Sequence, residues 1–289
     1  MSPSKYIEAS WYDYPQYYDM AFRDDTAEEA KFLDVVWRKT LTPTQPCNDV
    51  RPLMPAPTLM AASTSKYCDF EVRRILEPAC GTGRVVTALA QRGYEMLGFD
   101  LSDSMLRYAS NRTKRRKLDA TFFNADMRDF ELAQPVDMAY NPVNSFRYLL
   151  TEKDAQQHLK CMANAIRPGG LYILAMHLLP MDVDEESTER WSATHGRTKL
   201  TATLRVLESD RRKRLEKLRI SLLVRSGEKE FRLRHEFQFR MYTAAQMKRT
   251  LAAVPDFELL DVYDFWYDID EPQELNDVIT DTVFVLRKR

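Results

Sequence analysis

The feature of this sequence that most constrains its fold is a glycine-rich stretch within residues 73–100. An apolar run that ends at Leu76 is typical of a buried strand, and the segment E-P-A-C-G-T-G follows it as a tight turn. A helix is predicted from Val85 to Gln91, and a second strand runs from Glu95 to Phe99 and stops at Asp100. Strand, glycine turn, helix, strand and terminal acid together predict half of a nucleotide-binding α/β unit.

The residue types in this stretch each have a physical reason. Gly81 and Gly83 lack a Cβ, so the backbone can turn sharply and a ligand can lie against it. Asp100 ends the second strand, where its two oxygens can accept both hydroxyls of a ribose. The third glycine of a dinucleotide fingerprint would fall at Val86, so the turn suits a ligand without a pyrophosphate.

The motifs E-P-A-C-G-T-G and G-F-D resemble the first two motifs of class I S-adenosylmethionine-dependent methyltransferases. The alternative is a glycine turn in some other α/β domain that binds no ligand. The resemblance implies S-adenosyl-L-methionine as cofactor and a Rossmann-like sheet of seven strands with the last strand antiparallel. The cofactor contacts it implies are Tyr18, Glu77, Ala79, Cys80, Gly81, Gly83, Asp100, Leu101, Met105, Asp126, Met127 and Asn141.

Composition places the 289-residue chain among ordinary soluble globular proteins, with 44% hydrophobic and 29% charged residues. The net charge of −1 gives no overall attraction to nucleic acid or to an anionic membrane. The four cysteines are scattered without a C-x-x-C pair, so we expect neither a disulfide framework nor a metal site, and a reducing compartment. No apolar run has the length of a signal peptide core or a membrane span, which predicts a cytoplasmic protein.

Six aromatic residues between Trp11 and Phe22 precede the first long predicted helix. They can pack as a plain cap on the domain, or close as a lid over the cofactor, as a similar Y-D-x-x-Y segment does in small-molecule methyltransferases. Aromatic faces also attract a sulfonium. Thr26 and Glu29 have the spacing of a capping box for the next helix. Five prolines in 42–70 then predict a long irregular connection.

Further along, the chain repeats the pattern of strand followed by helix. Strands are predicted at 121–125, 136–140 and 171–176, and each carboxyl end should face the ligand crevice. The resemblance puts Asp126 and Met127, after the first of these, against the adenine. The residues after the later two strands should stand near the transferred methyl group, which makes His177 a candidate base and Asn144 and Arg147 candidate substrate contacts. Tyr17, from the N-terminal aromatic segment, is a third candidate substrate contact. A lone histidine with a structural role is the alternative.

Between Trp191 and Tyr242 the pattern changes to alternating strands. Segments 198–206, 214–224 and 229–240 predict a three-stranded antiparallel insertion. Eleven Lys or Arg oppose five Asp or Glu between Arg205 and Arg234, so one face of this sheet should be basic and solvated. After it, Thr243 and Gln246 predict a helix cap, and two last strands close the main sheet.

The predicted domains are an N-terminal cap and loop (1–70), a cofactor-binding domain (71–180 with 241–289) and an inserted β subdomain over the active site (181–240). The order of elements is similar to the small-molecule branch of the family, including aminosugar N-methyltransferases. This resemblance implies methyl transfer to nitrogen or oxygen of a small molecule. Two alternatives stay open: a nucleic-acid methyltransferase that grips its substrate with the basic insertion, and an NAD-type oxidoreductase or non-catalytic nucleotide-binding module. The sequence predicts no oligomeric state.

Overall fold

The structure, a computed structural model, describes residues 5–40, 72–179 and 187–289. The proline-rich connection predicted at 42–70 lies outside these residues. Numbered in chain order, the strands of the described chain are β1 (Ile7–Glu8), β2 (Arg74–Pro78), β3 (Glu95–Asp100), β4 (Ala120–Asn124), β5 (Val136–Asn141), β6 (Ile166–His177), β7 (Thr188–His195), β8 (Thr198–Asp210), β9 (Leu215–Ser226), β10 (Lys229–Arg240), β11 (Phe257–Tyr263) and β12 (Asp281–Lys288). Its α-helices are α1 (Pro15–Phe22), α2 (Thr26–Thr40), α3 (Arg84–Ala90), α4 (Asp103–Arg116), α5 (Glu152–Ala165) and α6 (Ala244–Ala252).

Seven strands form the main sheet in the order β4-β3-β2-β5-β6-β12-β11. Strands β2 to β6 pair in parallel, whereas β12 enters between β6 and β11 and is antiparallel to both. The predicted fold class is therefore confirmed, including the antiparallel last strand. Because β2 lies in the middle and the chain moves outward from it in both directions, the carboxyl ends of β2 and β5 mark the point where the order reverses. Ligands of open α/β sheets bind at that point.

Helices cover both faces of this sheet because side chains alternate along each central strand. Ile75 and Met96 pack with the buried residues of α2 and α3 on one face. Their neighbours Leu76 and Leu97 pack with those of α5 and α6 on the other. The sheet is buried on both sides, which holds the strand ends in fixed positions.

Local capping signals were predicted with mixed success. Thr243 and Gln246 form the predicted capping box at the start of α6. The predicted box of Thr26 and Glu29 is wrong, because both side chains are used elsewhere. Thr26 Oγ1 accepts a hydrogen bond from Arg84, and the Glu29 carboxylate forms an ion pair with the same guanidinium. Thr26 and Glu29 therefore bind the distant Arg84 and do not cap the helix.

The inserted segment forms a second sheet in the order β1-β10-β9-β8-β7. The three predicted strands are present, but β7 precedes them and pairs antiparallel with β8, and β1 adds a two-residue parallel edge to β10. The sequence prediction missed both, since β7 carries mostly polar side chains and β1 has only two residues. One face of this sheet is buried against the N-terminal aromatic residues.

Helix α1 connects the second sheet to the glycine turn. Asp19 is fully buried and forms ion pairs with Arg23 at 2.8 Å and with Arg112 of α4 at 2.5 Å. It also accepts a hydrogen bond from Thr82 of the turn at 3.2 Å. On the other side, the Trp191 indole of β7 donates to the Ala21 carbonyl at 3.1 Å. The aromatic segment is thus held between the two sheets.

None of the described helices has the length and apolar character needed to cross a membrane. Cys80 and Cys161 are buried and unbridged. Within the described residues no cluster of three or more His, Cys, Asp or Glu side chains has the arrangement of a metal site.

Candidate active site

A cavity of about 920 Å³ lies where the carboxyl ends of the central strands meet the inserted sheet. Pockets for drug-sized ligands span roughly 300–1,000 Å³, so this cavity lies at the upper end of that range. Ten of the predicted site residues line it: Tyr18, Glu77, Ala79, Cys80, Gly81, Asp100, Leu101, Met127, Asn144 and His177.

The glycine turn and Asp100 form one hydrogen-bonded unit on the cavity floor. Asp100 accepts a hydrogen bond from the Gly81 N–H through Oδ2 and from the Ser102 N–H through Oδ1, both at 2.8 Å. Burial raises the pKa of Asp100, and hydrogen bonds from the backbone of Ser102, Gly81 and Leu101 oppose that shift. Each oxygen keeps a second lone pair, so the carboxylate can still accept two hydroxyls of a ligand. Gly81 has φ +51°, and a Cβ built there would approach only Tyr18, at 3.7 Å.

Gly83 has a different role from Gly81. A Cβ at Gly83 would come within 2.9 Å of the Ala109 Cβ and 3.3 Å of the Phe122 ring. Its φ of +62° is also unfavourable for other residues. Gly83 therefore allows the turn to pack against α4 and β4, and it does not line the cavity.

Leu101 is 65% exposed although it is apolar, and it lines the cavity directly beside Asp100. Ala125 and Met127, after β4, line the same end. His158 fixes this loop, because its Nδ1 hydrogen-bonds the Met127 carbonyl at 2.9 Å and its Nε2 the Tyr172 hydroxyl at 2.7 Å. An exposed leucine next to a hydrogen-bonding carboxylate is the arrangement expected at the edge of a flat, partly apolar ligand such as a nucleoside.

A buried charge network supports the turn from below. Glu77 accepts a hydrogen bond from the Val86 N–H at 3.0 Å, which uses an amide in the first turn of α3. Burial raises the pKa of Glu77 to about 8, although the Arg84 cation opposes the shift. Arg84 binds both oxygens of Glu29, at 2.5 and 2.8 Å. Burial alone would lower the pKa of Arg84, but the Glu29 carboxylate raises it above its ordinary value.

Aromatic rings form the wall opposite the floor. Trp11 is almost fully buried and packs edge-on against Tyr18 and Phe22, with ring centroids 4.8 and 5.7 Å away. The Tyr12 hydroxyl hydrogen-bonds the Tyr148 hydroxyl across the cavity. Burial raises the pKa of both Tyr12 and Tyr18, so these phenols stay neutral. The segment predicted as a cap or a lid is therefore part of the cavity wall.

Asn144 and His177 stand together at the carboxyl edges of β5 and β6. Asn144 Oδ1 accepts from the His177 backbone N–H at 3.0 Å, and its amide Nδ2 donates to the His177 Nδ1 at 2.6 Å. His177 Nε2 faces Asp281 at 3.4 Å, and burial lowers the pKa of the imidazole. The neutral ring thus uses its one lone pair on Asn144. In this arrangement His177 can accept a proton from a substrate only after the Asn144 bond breaks.

Two predicted substrate contacts lie outside the cavity lining. Arg147 is buried, with its guanidinium bonded to Glu216 and to the Arg240 carbonyl. Burial lowers the pKa of Arg147 while Glu216 opposes that shift. Tyr17 stacks on Tyr14 and packs against Phe231 of the inserted sheet. Both hold the insertion in place.

Besides Gly83, three predicted cofactor contacts lie outside the lining. Met105 is fully buried below the cavity floor. Asp126 binds its neighbour Arg128 through both carboxylate oxygens, and this hydrogen bonding lowers the pKa of Asp126. Asn141 is fully buried, and neither its amide nitrogen nor its carbonyl oxygen has a hydrogen-bond partner among the described residues. The bond to Arg128 would have to open before Asp126 could contact a ligand.

Much of the cavity lining was not predicted from the sequence. Four acidic side chains line it without having been singled out: Asp24, Asp25 and Glu28 near the start of α2, and Glu189 of β7. Apolar and aromatic residues of the insertion and of the connection after β11 also contribute: Trp191, Leu204, Ile220, Phe237, Phe239, Phe265, Trp266 and Tyr267. Of these lining residues, only those on β8 to β10 could have been anticipated, because the alternation of apolar and polar residues in these strands predicts one apolar face turned towards the protein interior.

Comparison with known proteins agrees with this geometry. The family model described as "Methyltransferase domain" matches residues 75–170. A putative methyltransferase, YqeM of Bacillus subtilis, is 29% identical over 143 residues, which are 45% of this chain and 58% of that protein. The dTDP-3-amino-3,4,6-trideoxy-alpha-D-glucopyranose N,N-dimethyltransferase of Streptomyces venezuelae is 30% identical over 104 residues, 36% of this chain and 42% of that protein. The matched part thus spans about half the length of these curated relatives.

The likeness of the fold extends over nearly the whole chain. The crystal structure of Streptomyces venezuelae DesVI superimposes with a TM-score of 0.70 at 17% identity, covering 98% of this chain and 100% of that one. Both sheets and the N-terminal segment therefore belong to a known arrangement.

Proposed function

Because the chain carries a methyltransferase domain at residues 75–170, we propose that it is an S-adenosylmethionine-dependent methyltransferase that modifies a small molecule. The observation that carries the proposal is the unit of Gly81 and Asp100 on the cavity floor. A carboxylate that is held by backbone donors at a strand end, with lone pairs left over, suits the two hydroxyls of a ribose.

The surrounding side chains fit the remaining parts of the cofactor. Leu101 and Met127 offer apolar surface for the adenine, which gives the exposure of Leu101 a reason. Tyr12 and Tyr18 lie near Asp100 and offer neutral aromatic faces, which attract a positively charged sulfonium. When bound, the cofactor supplies an already activated methyl group.

The contribution of this chain is to position and desolvate the nucleophile. The methyl acceptor would bind between the inserted sheet and the edge formed by Asn144 and Tyr148. Holding the attacking atom about 3–3.5 Å from the methyl carbon makes the displacement effectively unimolecular. The cofactor would supply the methyl group to the nitrogen lone pair of an amine, with the C–S electron pair left on its sulfur. The methylated ammonium then loses a proton to water.

We propose nitrogen as the accepting atom. A neutral amine needs no general base, and the one lone pair of the His177 ring is engaged by Asn144. Two relatives, from Streptomyces venezuelae and Saccharopolyspora spinosa, are named as N,N-dimethyltransferases of dTDP-linked amino sugars. His177 and Asn144 would then shape the acceptor end and not remove a proton.

Specific contacts disfavour both alternative functions. The basic residues of the insertion are largely paired within their own sheet, since Lys217 and Arg219 bind Glu236 while Arg225 and Arg232 bind Glu230. Paired charges give little counterion release on nucleic acid. Against a dinucleotide, Glu77 places a buried carboxyl at the helix end where a pyrophosphate would bind. We also propose a reducing, cytoplasmic setting, supported by the unbridged Cys80 on the cavity floor.

The proposal is tested by two mass-spectrometric measurements. Purified protein is denatured and analysed for co-bound S-adenosylmethionine or S-adenosylhomocysteine. The protein is then incubated with S-adenosylmethionine carrying a CD₃ group and a panel of primary amines, matched alcohols and an RNA oligomer. We expect labelled methyl on amines only. Label on RNA, or on alcohols in preference to amines, would contradict the assignment.

A further inference from the structure

The cavity is strongly acidic in a protein whose net charge is close to zero. Seven Asp or Glu side chains of the described residues line it, against the single guanidinium of Arg84. Two of the seven, Glu77 and Asp100, belong to the proposed cofactor floor, and Glu29 is neutralised by Arg84. The others are Asp24, Asp25, Glu28 and Glu189, which form no ion pair with any described residue.

These four acids line the cavity from two separate parts of the chain, the start of α2 and strand β7. Asp24 and Asp25 form the turn between α1 and α2, and Glu28 follows in the first turn of α2. Glu189 faces the cavity from β7, on the inserted sheet. All four side chains are solvent-exposed. Their field makes entry favourable for a cation and unfavourable for an anion.

The walls between these acids are aromatic. Trp266 is 86% exposed yet lines the cavity beside Phe265 and Tyr267. Its indole face is therefore open to an incoming ligand. The Trp191 ring, which also lines the cavity, is fixed by its hydrogen bond to the Ala21 carbonyl. Aromatic faces combined with carboxylates recognise ammonium groups through cation–π and charge interactions.

The same lining lacks the donors that a phosphate group needs. Diphosphates in proteins are bound by arginine, lysine or the free amides of a helix N-terminus. Arg84 is engaged at both nitrogens by Glu29, and the Val86 amide of α3 is taken by Glu77. Arg147 is buried behind the lining against Glu216. Of the described lining residues, none offers an uncommitted cationic side chain.

Building on the proposed methyl transfer, we infer that the acceptor is a cationic amine with an apolar body and without a phosphate group. The exposed acids attract its ammonium form, and Leu204, Ile220 and Phe237 of the inserted sheet contact the apolar body. The acceptor nitrogen gives its proton to water before the attack. An amine carried on a nucleoside diphosphate is disfavoured by the same acids.

Three probes of graded charge test this inference by ligand-observed NMR and calorimetry, with the protein saturated in S-adenosylhomocysteine. Tryptamine is a cationic amine, indole-3-propionic acid is its anionic counterpart, and dTDP-3-amino-3-deoxyglucose carries an amine on a diphosphate. We expect tryptamine to bind at least about tenfold more tightly than either anion, by the charge of the lining. Equal binding of the two indoles, or tighter binding of the dTDP-linked amine, would overturn the inference.

A charge-neutralised variant locates the effect. In Asp24→Asn/Asp25→Asn/Glu28→Gln we expect the Kd of tryptamine to rise about tenfold, and less at high salt, because exposed charges are screened. The matched control Glu8→Gln/Glu131→Gln/Asp277→Asn removes three exposed acids outside the lining and should change that Kd less than twofold. Equal effects in both variants, or none in the first, would contradict the inference.

These experiments distinguish a failure of the proposed methyltransferase function from a failure of the inference about the acceptor. If S-adenosylhomocysteine does not bind the unaltered protein, the methyltransferase proposal fails and the inference fails with it. If S-adenosylhomocysteine binds but the three probes show no charge preference, the inference alone is wrong. The Kd of S-adenosylhomocysteine should stay within threefold in both triple variants.

Discussion

The Asp100 carboxylate accepts a hydrogen bond at 2.8 Å from the backbone N–H of Gly81, nineteen positions earlier in the chain. This bond joins the end of β3 to the turn after β2, so two separate sequence motifs become one rigid surface. The second oxygen of Asp100 accepts from Ser102 and fixes the start of α4. The surface formed by Gly81 and Asp100 is therefore already in place before a ligand binds.

Asp100→Ala should weaken cofactor binding strongly. Two charge-assisted hydrogen bonds to the ribose would be lost, each contributing about 1.5–3 kcal/mol when well formed. Water competes at an open cavity, so we expect a net loss of about 2–4 kcal/mol, roughly 30- to 1000-fold in Kd. Calorimetry with S-adenosylhomocysteine measures it, with the exposed Asp119→Ala as control. A Kd unchanged within threefold would show that Asp100 does not bind the ribose.

Glu77→Gln should change how stability depends on pH. Burial raises the folded-state pKa of Glu77 from 4.5 to about 8. A raised pKa means that the stability is fully present below pH 4.5 and is lost as pH rises towards 8. Glutamine does not titrate and can still accept from the Val86 amide. Between pH 5 and 8 the variant should therefore gain about 2–4 kcal/mol relative to the unaltered protein.

Urea unfolding at several pH values measures this difference. Glu131→Gln, an exposed position, is the control and should show no such trend. Parallel stability curves for Glu77→Gln and the unaltered protein would mean that Glu77 is ionised in the folded state.

The aromatic segment Tyr12 to Phe22 should become more protected when the cofactor binds. It lines the cavity and is tied to the opposite wall through Tyr12 and Tyr148. A ligand against these rings would reduce local opening. Hydrogen exchange with and without S-adenosylhomocysteine tests the prediction. The end of β12 from Leu286 to Lys288, at the opposite end of that strand from Asp281 and His177, serves as internal reference. Equal protection in both states would mean that the segment is a plain packed cap.

His177→Gln should lower kcat/KM by less than about tenfold, because Asn144 occupies the lone pair that a base would use. Loss of a true general base costs about 10²- to 10⁴-fold. The pH profile of kcat/KM should keep its rising limb, which then belongs to the acceptor amine. A hundredfold loss together with disappearance of that limb would restore His177 as the base. Asn144→Ala is the companion variant and should produce a loss of similar size.

The main sheet was predictable because its signals are local. Each strand is an apolar run that ends at a turn or an acid, and the glycine turn fixes how β2 leads into α3. Predicted and observed boundaries differ by a residue or two at β3, β4 and β5. The inserted strands with clear alternation were also found. In contrast, the pairing of β7 depends on an available edge of β8, which its polar sequence does not reveal.

The side chains that complete the site were harder to predict. Arg147 follows β5 as a substrate contact would, but Glu216, sixty-nine positions away, binds it inside the protein. Glu29 has the spacing of a helix cap, yet Arg84 recruits it to the network below the turn. Such choices depend on which opposite charge the fold brings near. The acidic rim of Asp24 and Asp25 could not be assigned from sequence, since exposed acids in a turn are common.

The measurement that tests the central claim most directly is a calorimetric titration of the purified protein with S-adenosylhomocysteine and, separately, with NAD. The glycine turn, Asp100 and the buried Glu77 predict one S-adenosylhomocysteine bound per chain and no binding heat for NAD. Tight binding of NAD without any response to S-adenosylhomocysteine would contradict the account.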